Sequence, residues 1–214
     1  MGLRWLKLRV REYFRSRAVI YALVAALLAA GAGAGAVGAG LLDGTDRAEL
    51  AEFVDEYVRQ AGDGGLSAAP ADPRDFWTEL ARSALLPWVL GLSVIGAPLA
   101  LVLVFLRGFA VGFTVRFLVE EFSVHGAILS LVSVAPHSAL ILFGVALAAG
   151  AGLAFAAGAV RILTGRAVTE PVYRHLAAAI LLCAVASGSV AAGAWLQARV
   201  APVLTGMVFR WLPM

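Results

Sequence analysis

The chain has 214 residues, of which 61% are hydrophobic and only 14% charged. About a quarter of the residues of a soluble domain are charged, so this composition excludes an ordinary soluble enzyme and points to an integral membrane protein. The net charge of +3 is small, and one cysteine, Cys183, in an apolar run excludes a disulfide framework and a thiolate metal site.

Residues 1–18 carry six basic side chains, Arg4, Lys7, Arg9, Arg11, Arg15 and Arg17, against the single acid Glu12. Trp5, Leu6, Leu8, Val10, Tyr13 and Phe14 are interleaved with them. The pattern predicts an amphipathic segment lying on an anionic leaflet. Nucleic acid would attract the same charges, but the segment runs directly into a span. The positive-inside rule accounts for the charges and places the N-terminus in the cytoplasm.

Residues 19–42 form the first predicted span. An uncharged run of this length exceeds the roughly 7–15 apolar residues of a signal peptide, so a retained helix is expected. Gly31 and Gly35 give it a small-xxx-small face on which another helix can pack closely.

Residues 43–87 are the acidic insertion, with ten acids against four arginines between positions 43 and 82. Thr45 or Asp46 is the expected N-cap of a helix, with Glu49 as its capping-box partner. Leu50, Phe53, Val54 and Tyr57 fall on one face of it. "GDGGLSAAPADP" reads as a loop. A second helix begins near Pro73, and its Phe76, Trp77 and Leu80 suit a membrane interface. The insertion is expected outside the cytoplasm as a small helical hairpin, too short for its own core.

Residues 88–198 are the predicted transmembrane core. A second span over 88–106 is interrupted by Pro98 and ends at Arg107, read as a cytoplasmic boundary. Residues 109–119 extend about 16 Å as helix, half a bilayer, so a short, tilted or re-entrant element is expected over 108–136. A break at Pro136 then precedes a full span over 137–160. Arg161, Arg166 and Arg174 mark a cytoplasmic loop, and 176–196 is the last span. Residues 199–214, with Arg199, Arg210 and Trp211, form an amphipathic outer tail. The expected fold is an all-α polytopic membrane bundle of about five transmembrane helices.

Arg107 and Arg116 lie nine residues apart, about 180° around one helix. An arginine on a lipid-facing helix centre costs about 2.5–3.5 kcal/mol, so each is expected at an interface, paired, or lining a polar cavity. Arg116 and Glu120 form an i,i+4 pair. His137 follows Pro136 and can satisfy the carbonyl that a proline frees. His125 and His175 stand on other segments, without HExxH-type spacing, so no metal site is expected. Ser93 with His137 is the one serine–histidine combination worth naming for an intramembrane protease, and Ser93 lacks a strained Gly-x-Ser-Gly setting. No catalytic residue and no cofactor are therefore expected. A small-solute transporter or permease subunit is the alternative function, since Gly- and Pro-broken helices mark transporter sites.

Residues 90–138 resemble the stage II sporulation protein M family of endospore-forming bacteria. The resemblance lies in the Gly-Leu-Ser-Val-Ile-Gly run at Gly91–Gly96, the basic-Gly step at Arg107–Gly108, the Val-Gly-Phe-Thr motif at Val111–Thr114 and the Ser-Val-x-Pro-polar motif at Ser133–His137. It implies a non-enzymatic membrane scaffold for forespore engulfment. Such a scaffold positions two peptidoglycan hydrolases, sporulation proteins D and P, at the septum of the mother-cell membrane. A groove for their membrane anchors is then expected at Arg107, Gly108, Gly112, Arg116, Glu120, Pro136 and His137. A homo-oligomer is compatible with the sequence, and no nucleic-acid partner is expected.

Overall fold

The computed structural model describes residues 14–62, 73–164, 172–200 and Val203. The expectations for the basic N-terminus up to Tyr13, the loop over 63–72, most of the 165–171 loop and most of the C-terminal tail lie outside these residues. Seven α-helices are described: α1 (Ala18–Gly40), α2 (Gly44–Gly62), α3 (Pro73–Leu80), α4 (Leu86–Leu92), α5 (Ala97–Leu129), α6 (Ala135–Leu163) and α7 (Val172–Arg199). Among the described residues there is no strand. The protein is an all-α, multi-pass membrane bundle. Four segments are long and apolar enough to cross a membrane: Ala18–Gly40, Ala97–Val124, Ala135–Arg161 and Leu176–Arg199.

Helix starts follow local chemistry. α2 places Asp46 in its first turn, and α3 does the same with Asp75, where the helix dipole favours negative charge. α5 opens on Ala97 and Pro98, positions at which a missing N–H costs nothing. α3, a π-helical turn over Ala81–Leu85, and α4 follow one another without a break. Together they make a rod of 20 residues, about 30 Å long. The rod ends where Ser93 turns extended and donates its backbone N–H to the Leu90 carbonyl.

Several expected breaks fall elsewhere. Pro98 begins a helix and does not interrupt one. The expected boundary between 87 and 88 is absent, because residues 73–92 are one helical rod. α5 passes through Arg107, Gly108 and Gly112 as regular helix, so no re-entrant element starts there. The backbone break is at Ser123, with φ 49 and ψ −123. A second π-helical turn, Ser130–Val134, then leads into α6, and Pro136 lies in the first turn of α6. An apolar 11-residue window looks like half a span only if Arg107 ends the preceding helix, and it does not.

The helix pairing fixes the topology. α1 and α5 run parallel: Leu28 meets Gly108, Ala32 meets Gly112, and Gly35 meets Phe109 and Phe113. Both numberings rise together, so the chain must return the full height of the bundle between Gly40 and Ala97. The 73–92 rod makes that return. Among the described residues it makes a fifth pass along the bundle beside the four apolar helices, and its Arg74, Asp75, Glu79 and Arg82 keep it from resembling a membrane span by composition. α6 and α7 run antiparallel, since Gly144 meets Ala186 and Val190 while Gly193 meets His137 and Ile141. α6 is the central helix, with 61% of its apolar window buried. Its Ile141, Val145 and Ala149 form the core with Val24 of α1 and Val104 of α5. With no hydrophobic drive between helices in lipid, such close packing of small residues supplies the cohesion.

Candidate functional site

The polar groups of the bundle gather in two places. The first is at mid-height. Arg107 precedes Gly108, which packs on Leu28, close to the middle of the 23-residue α1. Its guanidinium is ion-paired with Glu79 of α3. Ser83 donates a hydrogen bond to the same Glu79 oxygen at 2.8 Å. Ser83 is buried at 2% exposure, so its hydroxyl needs this acceptor. Arg107 is therefore no boundary residue, contrary to the expectation from charge spacing. It is a mid-bundle cation neutralised by a carboxylate 28 positions earlier. The π-helical turn widens the helix next to Ser83, and such turns commonly accompany functional positions.

The second cluster caps the end of the bundle where α5 leaves it. Arg47 of α2 donates to Glu120 at 2.9 Å and to Glu121 at 3.0 Å. Arg116 pairs with Glu120 one turn away, as its spacing predicts. The hydrogen bond to Glu121, then that to Glu120, raises the Arg47 guanidinium above its usual value. Val54 of α2 packs on Leu118 of α5, against which Phe122 also packs. α2 is thus tied to the end of α5 by Arg47 set between two carboxylates and by Val54 on Leu118. Arg107 and Arg116 face opposite ways on an unbroken helix, each with its own partner.

The expected groove residues do not converge. Gly108 and Gly112 lie against the α1 backbone, where a Cβ would strike the Leu28 and Ala32 carbonyls. Gly31 and Gly35, expected to favour close packing, fit reciprocally against Phe105 and Phe109 of α5. The chain's own first helix fills the place expected for a partner at Gly108 and Gly112. Pro136 is exposed, and the His137 carbonyl lies against Gly193 of α7. Ser93 and His137 are far apart. Ser93 follows Gly91, which packs on Gly152, and 137 and 152 are separated by about 22 Å of α6. Ser93 instead accepts a 3.4 Å hydrogen bond from the Gly96 N–H at the α4–α5 bend. Among the described residues, no three His, Cys, Asp or Glu side chains are placed to hold a metal.

Glu79, Ser83, Arg47 and Arg82 were not singled out from the sequence. Glu79 and Ser83 are i,i+4 neighbours on a helix whose second half is fully apolar, and that pattern was the available signal. Arg47 carried no signal, because its partners lie more than 70 positions away.

The family model described as Stage II sporulation protein M matches residues 22–202, most of the chain. No curated protein and no solved structure matches.

Proposed function

The chain belongs to the stage II sporulation protein M family, and from that premise we propose that it is a non-enzymatic membrane scaffold of engulfment. In this reading it positions peptidoglycan hydrolases, sporulation proteins D and P, at the septum, where the wall is remodelled. The family match carries the reading. The disposition of charge supports it: Arg107, Arg116, Glu79, Glu120 and Glu121 all take part in internal ion pairs. A chain in which these five charges hold its own helices together is suited to presenting a rigid surface. The starts of α1, α5 and α7 lie at the same end of the bundle as the close of α6, near Arg15, Arg17 and Arg161. The positive-inside rule puts that end in the cytoplasm and the acidic α2 outside.

The test is recovery of partners from sporulating cells. The tagged chain, extracted in mild detergent, is expected to bring down both hydrolases. A clean chain from cells that demonstrably express both would refute the scaffold reading.

A further inference from the structure

Arg82 is a mid-bundle charge without a neutralising partner among the described residues. It stands less than one turn after Glu79, the partner of Arg107, and so near the middle of the membrane traverse. It is exposed, and among the described residues it has no ion pair or hydrogen bond. Arg82, Leu85, Leu86 and Val89 recur at i, i+3, i+4 and i+7, one stripe of the 73–92 rod. With Ala81 they line an open, shallow groove whose surface is almost wholly apolar. Leu85, Leu86 and Val89 are between 43% and 54% exposed, so the stripe presents its side chains outward.

An unpaired guanidinium at this depth is costly in lipid and cannot shed its charge. The headgroup layers lie about 15 Å away on either side, too far for one side chain to reach by snorkelling. Nor is a second copy a good complement. Among the described carboxylates of the membrane-spanning helices, Glu79, Glu120 and Glu121 are already paired, and Asp75 stands about 10 Å along the rod from Arg82, in the first turn of α3. A two-fold dimer through this stripe would also bring one Arg82 towards another. What remains is an apolar helix from a different protein that brings its own anion.

We propose that the Arg82–Val89 stripe is a docking groove for a partner's transmembrane helix carrying a carboxylate near its midpoint. Leu85, Leu86 and Val89 receive the apolar face of that helix, and Arg82 pairs with its Asp or Glu. In the bilayer the paired charges satisfy each other, and the carboxylate sets the depth and register of the helix. The proposal rests on the reading of the chain as a holder of membrane partners and names the chemistry of what it holds.

The test uses the full chain in phosphatidylcholine vesicles with a synthetic Leu/Ala transmembrane peptide bearing one central Glu, and a Gln peptide as control. Energy transfer between labelled chain and peptide reports association. The Glu peptide is expected to bind about tenfold tighter than the Gln peptide, and Arg82→Leu is expected to abolish the difference. Arg82→Glu is expected to reverse the preference toward a peptide with a central Lys. Arg82 is exposed, so Arg82→Leu is expected to keep the thermal stability of the parent chain. Equal binding of both peptides by the parent chain overturns the groove, as does a preference that survives Arg82→Leu. Self-association through this face that the Glu peptide fails to displace gives the stripe to a second copy and likewise overturns it. Co-purification separates the two levels. Hydrolases recovered undiminished with Arg82→Leu refute only the groove. Their absence from the parent chain refutes the scaffold reading, while the peptide result still decides the groove.

Discussion

Removing the Glu79 carboxylate leaves Arg107 as a lone cation near the middle of the bundle. Arginine stays charged under all physiological conditions, so the cost cannot be relieved by losing a proton. An isolated arginine at a helix centre costs about 2.5–3.5 kcal/mol on insertion scales. The side chains of Arg107 and Glu79 are 31% and 23% exposed, so much of that cost applies. Glu79→Leu is therefore expected to destabilise the folded bundle by about 3 kcal/mol. Arg107→Leu is expected to cost less, about 1 kcal/mol, because a carboxyl group can take up a proton and Ser83 still donates to it. The double variant Glu79→Leu/Arg107→Leu places two apolar groups where two charges were and is expected within about 1 kcal/mol of the parent chain. The coupling is then about 4 kcal/mol, close to a thousandfold in the folding equilibrium. Reversible unfolding in mixed micelles, followed for all four chains, measures this cycle. Additive losses, with the double variant worse than either single one, would falsify the reasoning and make the ion pair incidental.

The glycine seam makes a sharper steric prediction. Gly35→Leu and Gly112→Leu each drive a side chain into a facing backbone and are expected to cost at least about 1–3 kcal/mol, whereas Gly33→Leu, with nothing near its Cβ, is expected to be neutral in thermal stability. Ser123 holds a backbone conformation that suits glycine, so Ser123→Gly is expected to stabilise the chain by about 1 kcal/mol and Ser123→Val to destabilise it, read by thermal unfolding in detergent. Arg47→Ala removes the tie between α2 and the end of α5. Faster proteolysis and hydrogen exchange over 44–62 are expected, with the membrane helices unaffected, and high salt should mimic the change because the pair is partly solvated.

The sequence by itself determined the medium and the material. Apolar runs of spanning length, sparse charge and the motifs of Gly91–Gly96 and Val111–Thr114 identified a helical membrane protein of this family. The i,i+4 spacing of Arg116 and Glu120 was enough to pair them, and the small residues at Gly31 and Gly35 announced a close helix contact. These are local properties, readable from composition and period. Tertiary structure alone decided which helix fills that contact, that α1 and α5 are parallel, and that a rod carrying Arg74, Asp75, Glu79 and Arg82 makes the return. A window of hydropathy rates each residue as if lipid surrounded it. Glu79 does not face lipid alone: Arg107 and Ser83 meet it inside the bundle, and a charge met by its partner no longer bars a helix from the membrane.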